Sequence, residues 1–238
     1  FVVVDEAHCM SQWGFDFRES YLTVGKFISQ LQKRPVIAAF SATVTQQDRQ
    51  QITTLLKLKK DTPFFLCYAK RSNLQLSIIH CADEKKKNTD EDVPKLKSRM
   101  YELIALLNDE RNKGKPCIIY CTSIKSLELL YDTLSSDKYE KYHFHPAKYH
   151  GQMSDFQKAK NLERFMPQKE GEKEGSQSKT NIMIATKAFG MGIDRDDIEL
   201  VIHFDIPRSL EDYYQEVGRA GRSKGISANC FLLYNNEG

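Results

Sequence analysis

Phe1-Val2-Val3-Val4-Asp5-Glu6-Ala7-His8 sets an apolar, β-branched run directly against two adjacent carboxylates. Val-rich runs without alternation fit a strand buried on both faces. The sequence therefore predicts a strand at Phe1–Val4, with Asp5 and Glu6 leaving its carboxyl end. A strand with no turn, helix or start methionine ahead of it leads to the expectation that the chain is a fragment of something longer.

The same pattern repeats downstream. Apolar runs predict strands at Val36–Phe40, Phe64–Tyr68, Leu74–His80, Cys117–Tyr120, Lys148–His150, Ile182–Ala185, Leu200–Phe204 and Cys230–Tyr234. Helical spacing predicts helices at Tyr21–Leu31, from Thr45 through Leu56, Leu96–Leu107, Ser123–Leu134, Asp155–Met166 and Leu210–Glu216. Thr45 with Asp48, and Ser123, have the chemistry of helix starts. Strands alternating with helices imply an α/β fold with parallel sheets covered on both faces. The expected division is residues 1–72 and residues 73–238. Two charged stretches interrupt the pattern, a run from Lys85 to Asp92 and an apolar-free segment between Gln168 and Thr180. Both read as solvated insertions.

The bulk properties exclude more than they assign. The chain has 238 residues, 40% hydrophobic and 28% charged, with a net charge of +3. A mildly basic total permits a polyanionic partner without requiring one. The six cysteines form no CxxC pair, and Cys117 and Cys121 have a poor zinc spacing. They read as reduced thiols of an intracellular protein, with no zinc site. His143 and His145 read as structural or exposed rather than as a metal pair. No signal peptide and no membrane-spanning run is present.

NTP hydrolysis needs one carboxylate for a hydrated magnesium ion and another for the attacking water. Two adjacent acids at a strand end can divide those tasks, with Asp5 at the metal through water and Glu6 at the water. A solvated loop pair is the alternative. Cys9 to Arg18 then places Trp13, Phe15, Phe17 and Arg18 in a run with no clean period and with Gly14 inside it. Aromatics in such a loop can stack on bases. Near the other end, Arg219 and Arg222 are three apart, so on a helix they would share a face. Guanidinium forks grip phosphate oxygens.

The string DEAHCMSQWGFDFRESY (residues 5–21) closely resembles motif II and the aromatic loop of RecQ-type helicases, although Phe15 stands where that family usually has His. Ser41-Ala42-Thr43 resembles motif III. Arg71-Ser72-Asn73 resembles the Arg-Pro-Asn element, with Ser72 replacing Pro. Ile118 to Ser123 resembles motif IV, and Tyr149-His150 begins a partial match to Tyr-His-Ala-Gly. Ala185 to Asp194 resembles motif V. Tyr213 to Arg222, after HFDIPRSLED, resembles motif VI.

The resemblance implies two RecA-like lobes, the first incomplete at its amino end, with ATP and Mg²⁺ bound between them. It implies ATP-driven 3′–5′ DNA unwinding, on single-stranded and partly duplex DNA, by a monomer. His8, Gly192, Asp194 and Gln215 would join Asp5, Glu6, Arg219 and Arg222 around the nucleotide. Arg222 would be the arginine finger and Arg219 a second phosphate contact. Trp13, Phe15, Phe17, Arg18, Ser41, Thr43, Thr122, Ser123, His150 and Thr186 would meet DNA. An RNA-dependent ATPase or translocase on the same scaffold, or a binding module without catalysis, are the alternatives. No GxxxxGK[ST] phosphate loop occurs in the 238 residues, so these residues alone are expected to hydrolyse no ATP.

Overall fold

The computed structural model describes residues 1–10, 19–42, 44–67, 70–81, 92–167, 180–190 and 195–235, and leaves aside the side chains of residues 19–22 and 92–97. The chain divides into two compact units, Phe1–Ala69 and Lys70–Gly238. The 72/73 division expected from sequence differs by three residues, because Arg71 is bonded into the second unit through the carbonyls of Ala220 and Gly221, each 2.7 Å from its Nη2.

In the first unit, β1 (Val2–Val4) pairs in parallel with β2 (Ile37–Ala39), Val2 opposite Ile37 and Val4 opposite Ala39. Helices α1 (Glu19–Gln30) and α2 (Gln46–Leu55) accompany them. Val4, Ala7, Met10, Ile28, Ile52 and Leu56 form the core. The Thr45–Asp48 start is a full capping box: Asp48 N donates to Thr45 Oγ1 at 3.1 Å, and Thr45 N to Asp48 Oδ2 at 2.9 Å. The strand expected at Phe64–Tyr68 is absent from its described part. Residues 62–67 have no regular structure, and Phe65 is 92% exposed. An apolar run makes a strand only where a partner takes its backbone groups. Tyr68 lies outside the described residues.

The second unit is a six-stranded parallel sheet in the order β3-β8-β7-β4-β6-β5. The strands are β3 (Leu74–His80), β4 (Cys117–Tyr120), β5 (Ala147–Tyr149), β6 (Ile182–Ala185), β7 (Leu200–His203) and β8 (Ala228–Tyr234). The helices between them are α3 (Asp92–Asn108), α4 (Ile124–Leu134), α5 (Asp155–Phe165) and α6 (Leu210–Val217). Alternation along each strand sends successive side chains to opposite faces. Ile119, Ile184 and Ile202, aligned across three strands, join Leu103, Leu127 and Leu130 in one core. Ile118, Met183 and Val201 join Phe165, Phe189 and Val217 in the other. Burial on both faces explains why β4, β6 and β7 read as unbroken apolar runs. All these strands point one way, so their carboxyl ends line one edge of the sheet.

Candidate functional site

The acidic pair leaves β1 where its ladder with β2 closes. Phe40 N donates to Val4 O, and Ala7 N to Phe40 O, both at 2.8 Å. Between those bonds Glu6 takes φ +49°, a left-handed conformation, and its amide donates to Asp5 Oδ1 at 2.9 Å. The tight turn keeps both carboxylates exposed. His8 turns the other way and is buried. Its Nδ1 lies 2.9 Å from Ser41 Oγ and 3.3 Å from Glu6 Oε2. A polar line therefore runs from Glu6 through His8 to Ser41, joining the ends of the two strands. Two exposed carboxylates are hard oxygen donors with room for water. That suits a magnesium ion held mostly through water and phosphate rather than in a protein cage. Among the described residues no three His, Cys, Asp or Glu gather around a point. Trp13, Phe15, Phe17, Arg18 and Thr43 lie outside the described residues.

In the second unit, the pairing of β6 with both β4 and β5 sets three strand ends side by side. Cys121 N donates to Ala185 O at 2.8 Å, and Thr186 N to Tyr149 O at 3.1 Å. Thr122, Thr186 and His150 thus share the carboxyl edge. Their backbone and ring groups are partly committed. Thr122 N donates to Asp205 Oδ2 at 3.1 Å, and Asp205 is paired with Arg99 at 2.8 Å. Ser123 Oγ accepts from Ser126 N at 3.0 Å and so caps α4. His150 is buried, with Nε2 3.0 Å from Glu128 Oε1, while Lys148 Nζ donates to Glu128 Oε2 at 2.5 Å. Burial pushes the Glu128 carboxyl up, but the Lys148 and His150 contacts outweigh it and leave it lowered. In this conformation the His150 ring ties β5 to α4, and Thr122 and Thr186 are the partly exposed groups of the edge.

The two arginines are not on a helix. Helix α6 ends at Val217, capped by Gly218, and Arg219 to Arg222 form the turn beyond it. Gly221 takes φ +58° there, and its amide donates to Ile198 O at 2.8 Å. A left-handed residue ends a helix readily only as Gly or Asn, so the turn separates the two side chains. Arg222 is exposed, whereas Arg219 folds inward and donates to Gly190 O. A Cβ on Gly190 would lie 2.4 Å from Arg219 Nη2. The close approach that Gly190 permits is therefore taken up by the chain's own arginine. Arg219 Nε is buried with no hydrogen-bond partner among the described residues. Behind it, Tyr120 Oη donates to Phe189 O at 3.3 Å, and burial pushes that phenol upward despite the nearby Arg219 charge. His203 Nε2 and Glu216 Oε2, 2.8 Å apart, join β7 to α6, and the His203 ring stacks 5.4 Å from Tyr120. Gln215 sits half-buried on α6, and Gly192 and Asp194 lie outside the described residues.

Sequence reasoning left Arg71, Asn73, Asp205, Arg99 and the His203–Glu216 pair off the candidate site. Arg71 and Asn73 carried a signal in the partial Arg-Pro-Asn match, and His203, Asp205 and Glu216 lay within the stretch that resembles motif VI, which did not show what they pair with. The others act through partners about 13 or more positions away, which no local pattern reveals.

A parallel sheet flanked by helices, as in the second unit, is a RecA-like α/β fold. A model of the DEAD/DEAH box helicases matches residues 1–52, and one of the helicase conserved C-terminal domain matches residues 97–224. The chain is 32% identical over 236 residues to the ATP-dependent DNA helicase RecQ of Bacillus subtilis, covering 99% of this chain and 34% of that protein. It is 37% identical over 234 residues to the ATP-dependent helicase SGS1 of Saccharomyces cerevisiae, covering 98% of this chain and 14% of that one. Among solved structures, yeast Dbp5 bound to RNA and ADP BeF3 superposes with a TM-score of 0.64 at 20% identity, over 99% of this chain and 53% of that one. The chain belongs to the helicase family with the conserved C-terminal domain. No described helix is long and apolar enough to cross a membrane.

Proposed function

We propose that the chain is part of the motor of an ATP-dependent 3′–5′ DNA helicase of RecQ type, coupling ATP hydrolysis to unwinding of partly duplex DNA in recombination and repair. Residues 1–72 contribute part of a first RecA-like lobe, and residues 73–238 the second. The protein works as an intracellular monomer, at the nucleoid of a bacterium or in a nucleus. Magnesium-bound ATP would supply the phosphoryl group, and the ion would neutralise its charge. Asp5 would hold the ion through water, and a Glu6 oxygen would accept the hydrogen bond that orients the attacking water. Arg222 meets charge building on the phosphoryl oxygens, an effect worth about 10³–10⁵ in rate where such a residue has been removed. Arg219, bonded to Gly190, holds the neighbouring loop until a phosphate oxygen competes for it. Trp13, Phe15, Phe17 and Arg18, with Ser41, Thr43, Thr122, Ser123, His150 and Thr186, serve the DNA side.

The observation that carries this reading is the buried His8, in contact with both Glu6 and Ser41. Through it, the carboxylate assigned to the water is joined to the strand end whose Ser–Ala–Thr resembles the element linking nucleotide to DNA. RNA as substrate has weaker support: a fold neighbour bound to RNA at 20% identity speaks for the fold alone. The test uses the parent protein that contains these residues together with a phosphate loop. Glu6→Gln should lose at least about 10²-fold in DNA-stimulated ATPase, and Trp13→Ala should lose the stimulation while keeping the unstimulated rate. Full DNA stimulation in Trp13→Ala sinks the DNA reading.

A further inference from the structure

A cavity of the second unit lies away from every group assigned above except Arg222. It encloses about 520 Å³ and is lined by Arg71 and Asn73, the glycines Gly221 and Gly225, and the turn residues Arg222 to Ser227 that join them. Its walls carry three cations, Arg71, Arg222 and Lys224, two serine hydroxyls, Ser223 and Ser227, and no carboxylate. The position in the fold is distinct as well. Asn73 and Ser227 immediately precede β3 and β8, so the cavity sits at the amino ends of those strands. Thr122, Thr186 and His150 sit at the carboxyl ends of β4, β6 and β5. In a parallel sheet those are opposite edges.

Arg71 is preorganised there. Its Nη2 donates to Ala220 O and Gly221 O, each at 2.7 Å, and its Nε to Asn73 Oδ1 at 3.3 Å. Asn73 Nδ2 in turn donates to Gly221 O and Ile226 O, both at 2.8 Å, which closes the turn around the cavity. Three of the five guanidinium N–H groups are thus spent on holding the plane, while Nη1 makes no hydrogen bond among the described residues. A fixed guanidinium loses little entropy when a remaining Nη1–H donates to an anion. Lys224 is exposed and has no ion pair among the described residues. A fixed guanidinium, an exposed ammonium, hydroxyls and no acid suit a doubly charged oxyanion.

We propose that this cavity is a phosphate site continuous with Arg222, taking inorganic phosphate set free by the hydrolysis, on the side of the turn away from the DNA edge. The proposal rests on the helicase reading for the source of the phosphate, and on the cavity alone for its binding. It makes Arg71 and Lys224 ligands of the product, and it gives the Arg71–Ser72–Asn73 element a task that the hydrolytic residues leave open.

The test is titration of the 238-residue protein with inorganic phosphate, read by backbone amide resonances. Saturable shifts at Ser223, Lys224 and Gly225 are expected. Arg71→Ala would also loosen the turn, so the deciding variants are Lys224→Glu and Ser227→Asp, both at exposed positions. Each should weaken phosphate by about tenfold or more, the factor that one lost charged contact makes. A single-stranded oligothymidylate serves as the second arm. Unchanged phosphate affinity in both variants overturns the proposal, and so does a loss confined to the oligonucleotide. If ATPase activity proves absent from the parent protein while the variants still lose phosphate, the helicase reading falls and the phosphate site stands.

Discussion

At the scale of single residues, Gly190 and Arg219 form one device. The glycine has no Cβ, and the guanidinium fills that space while donating to the Gly190 carbonyl. Gly190→Ala would push away the end of a flexible side chain rather than backbone, so the fold should lose about 1 kcal/mol or less. Arg219, however, would lose its anchor. The expected outcome is a near-unchanged unfolding midpoint together with a several-fold fall in the parent protein's ATPase. If activity and midpoint are both unchanged, the contact has no role in positioning Arg219. From sequence, the residue types and their order were legible here: a glycine loop, then two arginines. The sense of the contact was not, because spacing alone leaves open whether a glycine makes room for a ligand or for the chain itself. The helical placement of Arg219 and Arg222 failed as well. The sequence ends the helix at Glu216, and the structure ends it at Val217 with Gly218 as cap, so the face that two arginines three apart would share on a helix does not form.

At the scale of elements, the legible parts were those that a period or a cap encodes. Strand β4 and helix α4, with its Ser123 cap, fall at the residues their sequence predicts, since four buried apolar residues in a row followed by a serine leave few alternatives. Phe64–Tyr68 is likewise apolar but lacks β-branched residues, and it stays irregular through its described part. The joints between elements were not legible. His203 on β7 and Glu216 on α6 are 13 apart in sequence and 2.8 Å apart in space. Among the described residues His203 Nδ1 is buried without a partner, and Glu216 provides the ring's hydrogen bond. Glu216→Ala should cost at least about 2 kcal/mol of stability, because it strands a buried polar ring. Glu216→Gln, which can still bond the ring, should recover most of it. Urea unfolding of the two variants decides: a loss under about 0.5 kcal/mol in the alanine variant means that the pair is not a structural joint.

At the scale of the whole molecule, the two units draw on separate cores of unequal depth. Among the described residues, the first has a core cluster of six buried residues around a two-stranded sheet of three residues per strand, the sort of sheet that is marginal in water. The second buries a six-stranded sheet between two clusters. Unfolding should therefore occur in two steps rather than one, and the cysteines report on each. Cys9 and the exposed Cys67 belong to the first unit; Cys81, Cys117, Cys121 and Cys230 are buried in the second. Burial also pushes the thiols of Cys81, Cys117 and Cys121 upward, and that of Cys230 up to about 12, which holds them protonated and unreactive at pH 8. Iodoacetamide at pH 8 should label Cys67 in the native protein. With rising urea Cys9 should follow, and the four cysteines of the second unit should react only after a later transition, each assigned by peptide mass. Because a raised thiol pKa is lost on unfolding, that second step should appear as a sharp gain in labelling rate rather than a slow drift. Simultaneous labelling of Cys9 and Cys117 across the urea series would mean that the two units unfold as one.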